Sequence, residues 1–207
     1  MPSSASIPAP VKDISALILA GGRGSRMGGT DKGLMPVAGK PAIEYLLQRL
    51  RPQLDTILIS ANRNLDRYAR YGYPVIEDTI SGFPGPLAGI AAGLHACTTR
   101  YLLCLPVDAP LLGDRYVVRM KTCMDKTAGP ACVATFNGKP EPVFCLLRKD
   151  LEQTLLDYLA GGHRSVQAWL QGIGAHPVDF DDWPGQFINI NLEQDQRELE
   201  ARLLQPD

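Results

Sequence analysis

Residues 14–20 form a short apolar run, Ile-Ser-Ala-Leu-Ile-Leu-Ala, that stops at two adjacent glycines. A run of this length with apolar residues on both faces is typical of a strand buried in a parallel sheet. Parallel strands need crossover connections, which helices supply in right-handed βαβ units. The chain is therefore expected to fold as an α/β protein around this strand.

The rest of the chain alternates short apolar runs with segments of helical spacing. Strands are predicted at residues 56–60, 74–76 and 101–105, and helices at 41–50, 65–71 and 87–97. Further strands are predicted at 131–136 and 142–147 around an Asn137-Gly138 turn, with helices at 151–159 and 165–170, a late strand at 186–190 and a terminal helix at 192–204. This order predicts a single-domain, Rossmann-like three-layer αβα sandwich with a mostly parallel sheet.

Length and composition narrow the classes of protein. A chain of 207 residues suits one α/β domain, which we place at residues 13–207, after a disordered tail at residues 1–12 that is rich in Ser, Pro and Ala. The net charge of −1 argues against a nucleic-acid-binding surface. No stretch approaches the roughly 18–20 apolar residues of a transmembrane helix, so we expect no membrane segment.

The cysteines and histidines do not form a metal-binding pattern. The five cysteines are scattered and contain no C-x-x-C pair, and three of them lie in apolar runs that are predicted strands. Buried reduced thiols in a cytoplasmic protein are the expected reading. The three histidines lack metal-ligand spacing, so a metal held by imidazole or thiolate is not expected.

A glycine-rich segment links the first strand to the first long helix. Glycines occupy positions 21, 22, 24, 28 and 29, and Arg23, Arg26 and Lys32 add positive charge. Glycines let backbone N–H groups converge on an anion, and the cations could neutralise a triphosphate. The segment fits neither G-x-G-x-x-G nor G-x-x-x-x-G-K-[ST]. Its position after a buried strand favours phosphate binding over an ordinary surface loop.

Three further polar residues directly follow predicted strands. Asp108 comes just after the strand at 101–105 and could hold Mg²⁺ or simply open a turn before Pro110. Asn62 and Asp78 follow two other strands. The carboxylate of Asp78 could accept two hydrogen bonds from the edge of guanine, although both residues are also common in turns.

The segment LAGG-x3-RMGG-x-DK resembles the signature of molybdenum cofactor guanylyltransferases, within the wider family of nucleotidyltransferases that begin with L-A-G-G. The resemblance continues in order through Ser60–Arg63, Glu77-Asp78, Gly85–Gly89, Asp108–Pro110 and Asn189–Asn191. It covers nearly the whole chain after the tail. It implies the nucleotide-diphospho-sugar-transferase type of sandwich.

The resemblance also implies a reaction and a set of site residues. GMP would pass from GTP to the terminal phosphate of molybdenum-molybdopterin, with release of pyrophosphate and with Mg²⁺ as cofactor. Asp108 would hold the metal and act in catalysis with Lys32 and Arg26. GTP would contact Leu19, Ala20, Gly21, Gly22, Lys32, Asn62, Asp78 and Asp108.

The molybdopterin site is the least determined part of this prediction. Donors near the crevice could contact the molybdopterin phosphate, and we assign this role to Gly85, Gly89, Arg164, Asn189 and Asn191. Arg164 could equally face water, and Asn191 could cap the terminal helix. Proteins that deliver molybdopterin and chaperones of molybdoenzymes are the expected partners.

Three alternatives remain on sequence grounds. A cytidylyltransferase acting on the molybdopterin cofactor would differ only in base preference. A sugar-phosphate nucleotidyltransferase usually has a longer chain for its sugar pocket. A module that binds GTP without turnover would have less need of a metal ligand at position 108.

Overall fold

The computed structural model describes residues 9–21, 31–80 and 85–187, which form a seven-stranded sheet with helices on both faces and a small hairpin. The sheet contains β1 (Val11–Leu19), β4 (Leu54–Ser60), β5 (Val75–Ile76), β6 (Tyr101–Pro106), β7 (Ala131–Phe136), β8 (Lys139–Arg148) and β9 (His176–Asp179), and the hairpin contains β2 (Pro36–Val37) and β3 (Lys40–Pro41). The helices are α1 (Ala42–Leu50), α2 (Leu65–Ala69), α3 (Pro86–Ala96), α4 (Tyr116–Thr127), α5 (Glu152–Ala160) and α6 (Val166–Gly172).

The strand order is β5-β4-β1-β6-β8-β7-β9. The first four strands are parallel, β8 runs antiparallel to both of its neighbours, and β9 is parallel to β7. The predicted fold class, an αβα sandwich with a mostly parallel sheet, is therefore confirmed. As a consequence, β5, β4, β1 and β6 all end at one edge of the sheet.

The two faces of the sheet each support a separate apolar core. Along β1, Ile14, Ala16 and Ile18 join the core that contains α1 and α4, whereas Leu17 joins the core that contains α3, α5 and α6. This alternation follows from the two-residue period of a strand. Because both faces are covered, β1 carries the continuous apolar run that marked it in the sequence.

Most sequence-predicted elements occur where expected, but the structure also differs from the prediction at several places. Strand β1 begins at Val11, whose N–H donates to the carbonyl of Gln53, so residues 11 and 12 belong to the sheet rather than to a tail. Helix α4, strand β9 and the β2–β3 hairpin were not anticipated. The predicted late strand at 186–190 is wrong at its start, since Pro184–Phe187 is a short 3₁₀ helix. The Phe187 ring packs on Phe136 and Phe144, which accounts for its apolar signal.

The remaining parts of these predictions lie outside the described residues. They are the tail at 1–8, the end of the late strand at 188–190 and the terminal helix at 192–204.

The cysteines at 97, 104, 132 and 145 are buried free thiols, as predicted for those in apolar runs. Burial raises the pKa of the Cys104 thiol, which lies opposite Cys145 on the neighbouring strand. In the part of the chain that is described, we find no helix long and apolar enough to cross a membrane.

Close packing of α3 on the sheet depends on small residues. A Cβ on Gly93 would lie 2.4 Å from Leu17 Cδ2 and 3.1 Å from Leu102 Cδ2. We expect Gly93→Ala to lower the free energy of unfolding by about 1–3 kcal/mol, because the extra methyl overpacks the core. Urea denaturation measures this change. Gly172→Ala is the matched control, since a Cβ on this helical glycine meets nothing within 4 Å; an equal loss there would contradict the packing argument.

Candidate active site

Four predicted site residues follow the ends of four parallel strands at the same offset. The strand-end residues Leu19, Ser60, Ile76 and Pro106 are register partners across the sheet. Two positions beyond each of them lie, respectively, Gly21, Asn62, Asp78 and Asp108. The parallel register therefore brings together residues that are far apart in the sequence, at the edge where ligands bind in open α/β sheets.

A cleft of about 230 Å³ opens at this edge of the sheet. Its floor comes from the ends of β1 and β6, and its walls from the segment before α1, the loop after β4 and the start of α3. The lining residues are Leu19, Ala20, Gly21, Asp31, Lys32, Arg63, Pro86, Pro106, Val107, Asp108 and Val143. Five of the residues predicted to bind GTP therefore line a single cleft: Leu19, Ala20, Gly21, Lys32 and Asp108.

Lys32 and Asp108 form an ion pair in the cleft. Lys32 Nζ donates to Asp108 Oδ2 at 2.8 Å, and the two side chains are 30% and 13% exposed. The N–H of Val107 donates to the carbonyl of Leu19 at 3.1 Å, which ties the segment before Asp108 to β1. The pair places one cation and one carboxylate where the strands end.

Asn62 and Asp78 bind each other reciprocally. Asn62 Nδ2 donates to Asp78 Oδ2 at 2.8 Å, and the backbone N–H of Asp78 donates to Asn62 Oδ1 at 2.9 Å. The other carboxylate oxygen, Asp78 Oδ1, is buried and has no hydrogen-bond partner among the described residues. A buried acceptor without a donor is costly. This oxygen faces Gly89 of α3, where a Cβ would lie 3.5 Å from it, so a ligand N–H reaches it only after the carboxylate rotates toward the cleft. A Cβ on Gly21 would lie 3.2 Å from Asn62 Nδ2, which places this pair beside the cleft.

The three described residues that we assigned to molybdopterin differ in their surroundings. Gly85 precedes α3 with φ +140°, a conformation that favours glycine, and its neighbour Pro86 lines the cleft. Gly89 is buried, and a Cβ there would lie 2.7 Å from both Leu19 Cδ2 and Ser60 Oγ, which gives it a packing role. Arg164 is exposed between α5 and α6 and is not one of the described residues that line the cleft.

The contacts of these three residues with molybdopterin stay predictions. Four other predicted site residues, Gly22, Arg26, Asn189 and Asn191, lie outside the described part of the chain.

Sequence reasoning missed Asp31 as a residue of the site. Asp31 lines the cleft and caps the 3₁₀ helix Lys32–Leu34, since its Oδ1 accepts from the N–H of Gly33 at 3.2 Å. It also accepts hydrogen bonds from Asn64 and Tyr68. Two signals for it were available: Asp31 is the acidic residue of the R-M-G-G-x-D-K segment, and its place directly before Lys32 suits Asp as a capping residue.

A larger depression of about 670 Å³ lies at the opposite edge of the sheet. Arg100 at the start of β6 and Arg148 at the end of β8 line it. The smaller cleft is the better candidate, because the parallel strands end there and the glycine-rich segment leaves β1 there.

The fold and the cleft are together typical of α/β proteins that bind ligands beyond the ends of parallel strands, and the Lys32 cation in the cleft suits a phosphate. Residues 16–176 match the family described as MobA-like NTP transferase domain. The chain belongs to this family, which confirms the resemblance noted in the sequence.

Two relatives are similar over nearly the whole chain, and both are named molybdenum cofactor guanylyltransferase. The protein of Ralstonia pickettii is 43% identical over 202 residues, which cover 93% of this chain and 98% of the relative. The protein of Mannheimia succiniciproducens is 45% identical over 178 residues, which cover 86% and 94%.

Two solved structures with the same fold are a molybdopterin-guanine dinucleotide biosynthesis protein and a cytidylyltransferase. Molybdopterin-guanine dinucleotide biosynthesis protein A from Archaeoglobus fulgidus gives a TM-score of 0.77 at 21% identity, covering 93% of this chain and 98% of the other. The 2-C-methyl-D-erythritol 4-phosphate cytidylyltransferase of Thermus thermophilus gives 0.69 at 16% identity, covering 92% and 98%. At these identities the likeness concerns the fold.

Proposed function

We propose that this chain transfers GMP from GTP to the terminal phosphate of molybdenum-molybdopterin, which yields the guanine dinucleotide cofactor and pyrophosphate. The observation that carries the proposal is the Lys32–Asp108 pair, held in a cleft where β1 and β6 end. The names of the relatives over nearly the whole chain support the choice of substrates.

The cleft suits a triphosphate in three ways. Gly21 leaves the backbone after β1 uncovered by a side chain, and Lys32 supplies a cation. Helix α3 begins beside the cleft with Pro86 in its first turn, so the positive end of the helix dipole favours an anion there. These features would hold the phosphates of GTP and the departing pyrophosphate.

Asp108 fits the single protein carboxylate that Mg²⁺ often takes when substrate phosphates and water complete its shell. In the described residues no cluster of three or more His, Cys, Asp or Glu side chains could hold a metal alone. We propose that Asp108 contributes the oxygen ligand and that Lys32 then turns to the phosphates. When bound, Mg²⁺ would stabilise the charge that develops on the phosphate oxygens.

The chemistry assigned to this chain is positioning and charge neutralisation. The terminal phosphate of molybdopterin would attack the α-phosphorus of GTP in line, and the bond to the β-phosphate would break. A phosphate monoester has a second pKa of about 6, so the nucleophile is already anionic near neutral pH. No Ser-His pair or strong general base is required. Lys32 and the backbone N–H groups would stabilise the transition state.

The proposed reaction also implies protein partners. Molybdopterin-delivering proteins and molybdoenzyme chaperones would meet this chain in the cytoplasm. The molybdopterin would be held by the residues assigned to it in the sequence, which are Gly85, Gly89, Arg164, Asn189 and Asn191. The naming of the relatives after the molybdenum cofactor supports this part of the proposal.

A nucleotide panel tests the proposed function. At 100 times its Kd, a ligand of the folded state adds about 2.7 kcal/mol of stability, so GTP with Mg²⁺ should raise the melting temperature clearly above the shift with CTP or ATP. Pyrophosphate release should then require GTP and molybdopterin together. A larger shift with CTP would favour the cytidylyltransferase, and GTP binding without pyrophosphate release would favour a non-catalytic nucleotide-binding module.

The Asn62–Asp78 pair gives a sharper prediction about the base. The N1–H and N2–H₂ groups of guanine are donors that match a carboxylate, whereas xanthine has a carbonyl at C2 and matches an amide. We expect Asp78→Asn to weaken GTP binding about tenfold or more and to strengthen XTP binding. The amide oxygen introduced at position 78 can still accept the hydrogen bond from Asn62 Nδ2. Titration calorimetry with both nucleotides measures the exchange. Asp66→Asn, an exposed change on α2, is the control, and equal losses for GTP and XTP in the Asp78 variant would contradict base recognition by this carboxylate.

A further inference from the structure

Asp31 accepts three hydrogen bonds from two different parts of the chain. The donors are the N–H of Gly33 at 3.2 Å, Tyr68 Oη at 2.5 Å and Asn64 Nδ2 at 2.8 Å. Gly33 lies in the same turn, whereas the other two donors come from the region around α2, more than 30 positions away. The carboxylate therefore fastens the turn that carries Lys32 to a distant helix.

The donor groups of this network are themselves fixed. Tyr68 belongs to α2, and its side chain is fully buried in the core. Burial, together with the hydrogen bond to Asp31, raises the pKa of Tyr68 well above its ordinary value, so the hydroxyl stays a donor. Asn64 has φ +54°, a left-handed conformation that Asn tolerates better than most residues, and this turn places its amide at Asp31.

Gly33 brings the turn against the sheet. A Cβ there would lie 2.5 Å from Tyr68 Oη and 2.6 Å from Val107 Cγ2, so only a glycine permits this approach. Val107 directly precedes Asp108, and Lys32 directly precedes Gly33. The same close approach thus sets the distance between the backbone of Lys32 and the carboxylate of Asp108. At this distance the Lys32 ammonium reaches Asp108 and forms the 2.8 Å ion pair.

We propose that Tyr68 and Asn64 are positioning residues, which act through Asp31 to hold the Lys32 ammonium at the phosphate site. This inference rests on the proposed function for one point, the identity of the bound anion as the triphosphate of GTP. Neither Tyr68 nor Asn64 is among the described residues that line the cleft, so their influence passes through the Asp31 carboxylate.

Asp31 itself lines the cleft, so a direct role of its charge must be separated from a positioning role. Asp31→Asn removes the charge but keeps Oδ1 for Tyr68 and Gly33, and a rotated Asn64 amide can accept from the new amide. We expect Asp31→Ala to lose about 100-fold in kcat through misplacement of Lys32, and Asp31→Asn to lose about tenfold less than Asp31→Ala. Equal losses in both variants would show that the charge acts directly and would overturn the proposal.

A double-mutant cycle tests the connection to Lys32. Tyr68→Phe removes one hydroxyl and leaves the ring in its buried site, so we expect kcat to fall about tenfold with KM for GTP changed less than threefold. In a Lys32→Ala background the same change should have no further effect, because the side chain that it positions is gone. Tenfold losses in both backgrounds would mean that Tyr68 acts independently of Lys32.

The controls separate this inference from the proposed function. Tyr71 lies just beyond the end of α2, and its hydroxyl is 3.5 Å from Glu44 Oε1. Tyr71→Phe removes this hydroxyl and should leave kcat unchanged. If the wild-type chain releases no pyrophosphate, the proposed function fails, and the cycle is then measured on the affinity for inorganic tripolyphosphate. Tyr68→Phe should weaken that affinity only when Lys32 is present. Additive losses in this assay would also overturn the inference.

Discussion

Asp108→Ala is expected to lower kcat for pyrophosphate release by about 10³-fold or more, which would be the largest effect of any single change in the cleft. The variant loses the oxygen ligand proposed for Mg²⁺. It also leaves the Lys32 ammonium without the carboxylate that accepts from it at 2.8 Å. Steady-state release of pyrophosphate at saturating GTP and molybdopterin measures the change.

Folding should be affected far less than turnover. Lys32 is 30% exposed, so water can solvate it after the carboxylate is lost, and the free energy of unfolding should fall by about 1–2 kcal/mol. Asp108→Asn preserves size and an acceptor for Lys32 but removes the charge. Near-normal turnover in that variant would contradict the proposed metal role. Asp114→Ala, which breaks the exposed ion pair with Arg49, is the control and should keep normal kcat.

The part of the site that sequence could predict lies at the ends of parallel strands. Gly21, Asn62, Asp78 and Asp108 each follow a recognisable apolar run, and the parallel arrangement guarantees that such positions meet at one edge. No knowledge of side-chain contacts was needed for this step. What the pattern could not supply is the reciprocal bonding of Asn62 and Asp78, which depends on the exact reach of two loops.

The network around Asp31 could not be predicted in the same way. Tyr68 lies at an apolar position of a short helix, where burial alone accounts for its presence. Its hydroxyl becomes informative only when α2 packs back against the turn at Gly33, a contact between segments with no common pattern in the sequence. Asp31 stands in the R-M-G-G-x-D-K segment, but neither that segment nor its capping position identifies Tyr68 and Asn64 as its hydrogen-bond donors.

The missed elements have a different explanation. Helix α4 buries Tyr116, Val117, Met120 and Met124, which is helical spacing, so its signal was present in the sequence. Strand β9 has four residues and contains Pro177, and within the described ranges β7 is its only partner strand, so little local pattern marks it. Edge strands of this length depend on the sheet that they join.

Lys32→Met should lower kcat by about 10²–10³-fold, since it keeps most of the aliphatic stem but removes the charge that would face the phosphates in the transition state. GTP affinity should fall less than kcat, because the charge on the leaving pyrophosphate develops as the bond breaks. Lys32→Arg keeps a cation but presents a planar fork in place of a compact ammonium, so we expect partial activity. Turnover of each variant is compared at saturating GTP.

The control for Lys32 is a lysine at the opposite edge of the sheet. Lys149→Met removes an exposed cation from the larger depression and should leave both kcat and GTP affinity unchanged. The two edges then give a direct comparison, because each holds basic residues but only one lies where β5, β4, β1 and β6 end together. If Lys149→Met slowed turnover as much as Lys32→Met, the site of the phosphates in the smaller cleft would be contradicted. If only the Lys32 variant is impaired, the cation that matters is the one that the Asp31 turn holds beside Asp108.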